Sequence, residues 1–215
     1  MAFGNTKIED QKVLFSRSGQ GFRKNKRRQI KDANRLGYGA LEPRVVKTTF
    51  FVDAANGNDS NPGTAEQPLA SYLPFVFAYD QTDPNIGRID LQSGDEVVFR
   101  EGIYDETFQN PSDVNTGTYR GLYLRGLSGT PENPIVFRAE PGAIINPNPA
   151  NNSEWFSAEI IQSQHIEFSG FEFTGLGTGL HVASSSGIEI SDNYFYEIDG
   201  DEDDNLSGIK LTANS

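Results

Sequence analysis

One short pattern returns at a fixed interval late in the chain and limits what it can fold into. Residues Ile166 to Phe173 read Ile-Glu-Phe-Ser-Gly-Phe-Glu-Phe, and Ile188 to Phe195 read Ile-Glu-Ile-Ser-Asp-Asn-Tyr-Phe, an offset of 22 residues. Apolar residues occupy alternate positions in both copies, which puts Ile166, Phe168, Ile188 and Ile190 on one strand face and Glu167 and Glu189 on the other. A second pair, Gly179-Leu180-His181-Val182 and Gly208-Ile209-Lys210-Leu211, recurs at 29 residues with an acidic loop between the copies. Short alternating strands repeating every ~20–30 residues predict a solenoid, in which each unit buries its apolar face only by stacking on the next. Ile166, Phe168, Ile188, Ile190, Leu180, Val182, Ile209 and Leu211 are therefore expected to share one core. No helical period fits these segments.

Turn-forming residues are frequent enough for such a coil, with 22 Gly and 11 Pro in 215 residues, and 15 Phe and 8 Tyr supply β-forming core material. There is no cysteine, which excludes disulfides and thiolate metal sites. The longest apolar run, Leu73 to Tyr79, is too short to span a bilayer, so no membrane insertion is expected. Met1-Ala2-Phe3-Gly4-Asn5 leads into charged residues rather than an apolar secretory segment. The expectation is a protein that works in the compartment that made it, or leaves by lysis or a dedicated route.

Charge divides the chain in two. Residues 1–47 hold 12 basic and 4 acidic side chains, a net of +8, whereas the remainder holds 6 basic and 26 acidic, a net of −20, summing to −12. Arg17, Arg23, Lys24, Lys26, Arg27, Arg28, Lys31 and Arg35 concentrate the positive charge, and Gly19, Gly21, Gly37 and Gly39 interrupt any regular element. Such an arm has no core of its own and orders on a partner surface. Nucleic acid is disfavoured, since an acidic body is repelled by phosphate and the arm lacks aromatic interleaving. These residues are expected to dock on other protein chains, with residues 48–215 folding independently.

From residue 48 a longer series appears. Thr48-Thr49-Phe50-Phe51-Val52-Asp53 is followed by the loop Gly57-Asn58-Asp59-Ser60-Asn61-Pro62-Gly63. Then comes Ser71-Tyr72-Leu73-Pro74-Phe75-Val76-Phe77, where Leu73, Val76 and Phe77 have the spacing of a short amphipathic helix. Gly94-Asp95-Glu96-Val97-Val98-Phe99-Arg100-Glu101-Gly102-Ile103-Tyr104 and Pro134-Ile135-Val136-Phe137-Arg138-Ala139 complete it. This series resembles the N-terminal portion of right-handed parallel β-helix proteins, both the alginate-lyase and chondroitinase type of polysaccharide lyase and β-helical phage tail fibres and tailspikes. The resemblance implies a right-handed parallel β-helix with a cap over 48–90, including a short helix, and rungs over 91–215. It also implies a virion-binding role for residues 1–47, which lie outside it. The stretch Gly208 to Ser215 stops partway through a rung, which is expected to need a continuation or a partner over the open edge.

Catalytic signals are sparse. His165 and His181 are the only histidines, and Lys210 falls at the position of His181 in the later repeat. A lysine beside a histidine suits proton abstraction next to a uronate carboxylate. Against this, Lys210 is the only basic residue after Arg138, so two exposed ladder residues are the simpler expectation, and cleavage of alginate, pectin or chondroitin is not expected. In the acidic loop, Asp199, Asp201 and Asp203 alternate as calcium ligands do, but Asp204 stands where an EF-hand needs Gly and Lys210 where it needs Glu. A solvated turn is the expectation there, with no cofactor beyond weak calcium binding.

These readings combine in a structural phage tail component, a fibre or tailspike in the virion. It would be attached through its arm, assembled as a homotrimer, and project the solenoid towards a host-surface polysaccharide. The alternative is a secreted or periplasmic polysaccharide lyase of the alginate or chondroitin type.

Overall fold

A computed structural model describes residues 46–77, 84–109, 119–147, 155–176, 178–199 and 208–212. All of them fall in one compact unit, residues 43–215. The basic arm residues Arg17, Arg23, Lys24, Lys26, Arg27, Arg28, Lys31 and Arg35 lie outside the described residues.

The chain is all-β, and its strands sort into three sheets. The first contains β1 (Thr49–Val52), β2 (Glu96–Phe99), β6 (Ile135–Ala139), β9 (Gln164–Ser169) and β12 (Ser186–Ser191), hydrogen-bonded in that order. The second contains β3 (Gly102–Tyr104), β7 (Ala143–Ile145), β10 (Glu172–Leu176) and β13 (Tyr194–Asp199). The third contains β4 (Phe108–Gln109), β5 (Tyr119–Arg125), β8 (Trp155–Ile161), β11 (Thr178–Ala183) and β14 (Ile209–Thr212). Every pairing is parallel except β4 with β5. From β2 onward the chain visits first, second and third sheet in turn and then repeats, which is a β-helix-like coil with one strand per sheet in each turn, apart from the first, where both β4 and β5 lie in the third sheet.

The two sequence intervals become strand registers. Ile166 pairs with Ile188 and Phe168 with Ile190 between β9 and β12, while Leu180 pairs with Ile209 and Val182 with Leu211 between β11 and β14. Like residues consequently stack in ladders, of which Phe50–Val97–Phe137–Phe168–Ile190 runs through the first sheet. Phenylalanines fill the interior between sheets: Phe168 stacks on Phe171 with ring centroids 4.3 Å apart, and Phe173 on Phe195 at 4.9 Å. Ile166, Phe168 and Leu180 are fully buried, and Ile188 and Ile190 pack against the core half-buried. Ile209 and Leu211 depart from the expected burial, at 42% and 73% exposed, because β14 is an edge strand with no described turn stacked on it.

Corners repeat as faithfully as strands. Gly126, Gln162 and Ser184 all adopt left-handed backbone where the chain leaves the third sheet, and Gly170 and Asp192 do so where it leaves the first. At Gly170 a Cβ would lie 2.7 Å from the Ala139 carbonyl oxygen, so the close approach as well as the φ of +80° calls for glycine. Side chains tie successive corners together. Ser163 Oγ accepts from Leu127 N–H, Ser185 Oγ accepts from Ser163 N–H, and Asn193 accepts from Phe171 N–H while donating to Phe168 C=O. These bonds satisfy backbone groups that the corner takes out of the sheet ladder.

The expected capping helix is instead a single 3-10 turn, Leu73–Phe75. Val76 is already extended, and Phe77 N–H donates to Tyr123 C=O at 2.9 Å. Pro74 begins the turn, but the residues after it find better partners on β5 than in a second helical turn. Among the described residues no helix is long and apolar enough to cross a membrane.

Candidate functional site on the third sheet

Parallel register in the third sheet places Tyr123, Glu159, His181 and Lys210 side by side on β5, β8, β11 and β14. Adjacent positions in such a ladder lie ~4.8 Å apart. The His181–Lys210 pairing expected from the 29-residue repeat is present, but Glu159 adds an acidic member on the other side of the histidine.

A break in the strand alternation brings further side chains to this face. Arg120 and Phe156, which strict alternation would point the other way from Tyr123 and Glu159, reach the same cluster. The break falls at Gly121, Ser157 and Gly179, one level of three neighbouring strands, and all three residues are buried. A Cβ on Gly179 would lie 2.5 Å from the Phe195 ring, and one on Gly121 would lie 2.3 Å from the Ser157 carbonyl oxygen. Ser157 is buried at this corner, and its Oγ has no hydrogen-bond partner among the described residues.

Glu159 is the centre of the cluster. Its carboxylate, 3% exposed, forms an ion pair with Arg120 Nη1 and contacts His181 Nδ1 at 3.0 Å. The far nitrogen of the ring, His181 Nε2, is 3.0 Å from Thr212 Oγ1. With the carboxylate accepting from Nδ1–H, the ring is held in the tautomer whose Nε2 carries a lone pair, and the Thr212 hydroxyl donates to it. Phe156 stacks on the imidazole, centroids 4.5 Å apart and 22° from parallel, and Lys210 Nζ lies 5.9 Å from the centroid of the same Phe156 ring. Arg120 also lies over the Tyr123 ring at 4.5 Å. His181 is thus fixed on three sides and only 13% exposed, in place of the exposed ladder residue expected, because Phe156 and Glu159 come from the preceding turn.

The arrangement is a carboxylate-oriented imidazole with two cationic side chains beside it. Counting Arg120 and Lys210 against Glu159, it carries one net positive charge on a strongly acidic body. A histidine so held is suited to take a proton at Nε2, and the surplus positive charge is suited to an anionic group.

The remaining candidates are not assembled with it. His165 lies on the first sheet with left-handed backbone, packed against Gly187. The side chain of Asp199, and all of Asp201 and Asp203, lie outside the described residues, and among the described residues no group of three acidic or histidine side chains is placed to hold a metal ion. Glu159 was legible in the sequence and was missed: it precedes His181 by 22 residues, the interval that relates Ile166 to Ile188. Arg120 was not, because its strand stands 36 residues from the next one and matches no repeat.

A second titratable site lies between β3 and β4. Burial pushes the Glu106 carboxyl up to about 7; its own backbone N–H opposes this, and Asp105 and Asp59 add to it. Its Oε2 is buried without a hydrogen-bond partner among the described residues, and the phenol of the buried Tyr72 donates to the Glu106 carbonyl. At Asp53 burial acts upward, but hydrogen bonds from Asn56, Arg100 and Ala55 together hold the carboxyl below its usual range.

No protein-family model matches the sequence, and no curated protein matches it either. Solved structures are similar in fold. The GH136 lacto-N-biosidase from Eubacterium ramulus superposes over 77% of this chain with a TM-score of 0.56 as the selenomethionine derivative and 0.50 as the native protein, at 19% identity. A structure titled rhamnogalacturonan lyase covers 68% of the chain at 16% identity with a TM-score of 0.47. This chain spans about a third of the length of those proteins, 30% of the first and 36% of the last. The similarity supports a parallel β-rich fold of the kind found in carbohydrate-active proteins. None of these three structures is titled as a virion component, and the tail-fibre expectation gains no support from them.

Proposed function

We propose that this chain is the β-helical part of a glycan-active enzyme, a polysaccharide lyase acting on a uronate-containing chain, with the coil right-handed as parallel crossovers are. The observation that carries the reading is the Glu159–His181 contact, which orients an imidazole base beside Lys210 and Arg120. Elimination at a uronate needs a base for the proton on the carbon next to the carboxylate, positive charge for the carboxylate as negative charge builds on it, and a proton for the departing sugar oxygen. With substrate in place of the Thr212 hydroxyl, His181 Nε2 takes the proton as the carbon–carbon double bond forms and the glycosidic carbon–oxygen bond breaks. Arg120 and Lys210 offset the charge, and the Lys210 ammonium supplies the proton to the leaving oxygen. Hydrolysis fits less well, since it uses two carboxylates across the scissile bond and this cluster has Glu159 alone.

The scarcity of basic residues after Arg138, where Lys210 stands alone, weighs against cleavage. Arg120, two turns before His181 and paired with Glu159 on the turn between, removes that objection. The basic arm still favours attachment to a larger assembly, a role compatible with either a virion or an enzyme complex.

The test is incubation of the full chain with alginate, polygalacturonate and chondroitin, following the ultraviolet absorbance of unsaturated uronate ends. Activity should fall by about 10²–10⁴-fold in His181→Ala. Absence of unsaturated product on all three, or undiminished activity in His181→Ala, overturns the lyase reading.

A further inference from the structure

The outer face of the second sheet carries an aromatic pair that the third-sheet site does not use. Tyr194 opens β13 and is 62% exposed, among the most exposed large apolar side chains of the described residues. Its ring stacks on that of Tyr196, centroids 5.3 Å apart and 29° from parallel. Two residues apart on a regular strand, the two rings would stand about 7 Å from each other along the chain. They come together because β13 holds one more residue than its partner over this stretch. Glu172 pairs with Tyr194 and Phe173 with Phe195, but Gly175 pairs with Ile198, and Glu197 takes up the extra residue in left-handed backbone with φ of +48°.

A bulge with a non-glycine residue in that conformation costs backbone energy, and bulges of this kind re-aim side chains. Inside, the extra residue lets Ile198, three residues after the inward Phe195, pack against the core opposite Gly175. Phe195 on the inner side stacks on Phe173 only 7° from parallel, as in an unbroken ladder. Outside, it seats Tyr196 against Tyr194 and sets the exposed Glu197 beside them, with Glu172 across the ladder.

We propose that Tyr194 and Tyr196 form a stacking platform for a neutral sugar ring of a polysaccharide, with Glu172 and Glu197 accepting hydrogen bonds from its hydroxyls. Each ring covers one face of the other, and the open face of the 62% exposed Tyr194, braced from behind by Tyr196, is a flat apolar surface that matches the C–H face of a pyranose, with the phenol hydroxyls as a polar rim. The carboxylates decide the class of ligand. They repel a uronate, a phosphate backbone or an acidic protein, and they suit a ligand that is uncharged and rich in O–H donors. The platform stands on a different sheet from His181, so it would bind without taking part in the reaction proposed there, and it stands independently of that reading.

Affinity electrophoresis of the full chain through gels containing galactan, xylan, mannan or mixed-linkage β-glucan tests this, with polygalacturonate as the acidic control. At least one neutral polymer should retard the wild-type chain more than polygalacturonate does. Retardation should weaken at least tenfold in Tyr194→Ala and Tyr196→Ala and be kept in Tyr194→Phe, with far-ultraviolet circular dichroism unchanged. Retardation by none of the neutral polymers, or by one of them equally in Tyr194→Ala, overturns the proposal. So does a sedimentation shift from dimer to monomer in Tyr194→Ala, which would make the pair a contact between copies. Elimination assays on the same variants keep the two proposals separate, since loss of binding here leaves His181 untouched.

Discussion

Phe168→Ala probes whether stacking between turns, rather than hydrophobicity as such, holds this coil together. Phe168 is fully buried and is flanked by Phe171 at 4.3 Å, Phe173 at 6.1 Å and Phe137 at 6.2 Å between ring centroids. Its neighbours belong to the turn below and to the next sheet of its own turn, so they are fixed by backbone ladders and collapse little into a void. Truncation therefore removes the transfer energy of the ring and leaves most of a cavity, a combined cost of about 3–5 kcal/mol. The comparison is Leu211→Ala. Leu211 continues the Val182 ladder and is as apolar as the residues before it, yet it is 73% exposed, so its loss should cost about 0.5 kcal/mol or less. Urea unfolding followed by circular dichroism measures both, with the slope checked for constancy because solenoids can unfold in parts. A Phe168→Ala cost below about 1 kcal/mol, or a Leu211→Ala cost similar to it, would refute the reasoning.

Two further outcomes follow from local chemistry. Glu106 has its folded-state pKa raised to about 7 from an ordinary 4.5, so the folded state binds more protons between those values, and stability from this group is lost as pH rises through that window. The loss is at most about 3 kcal/mol, and Glu106→Gln should flatten the stability profile between about pH 5 and pH 8; an unchanged profile in the variant counts against the buried carboxyl. Gly170→Ala should cost at least about 1 kcal/mol, since the new Cβ meets the Ala139 carbonyl in left-handed backbone, whereas a neutral effect on the unfolding midpoint would show that the corner relaxes freely.

The sequence by itself determined the coil and its register. A spacing of 22 or 29 residues between like strands specifies which positions stack, since a slip by one residue would turn every apolar side chain of Ile166–Phe173 to the outside. The same interval held Glu159, one period before His181, for any reading that applied it to polar residues as well as apolar ones. What tertiary structure alone decided is where strict alternation fails. The break in alternation at Gly121, Ser157 and Gly179 brings Arg120 and Phe156 onto the face of His181, and the extra residue in β13 brings Tyr196 onto Tyr194. Neither is written as a local pattern, because each depends on a neighbouring strand that leaves or denies room for a side chain. The cap shows the same limit: Leu73, Val76 and Phe77 have helical spacing, but β5 offers Phe77 a backbone partner, and a contact 46 residues away outweighs the local period.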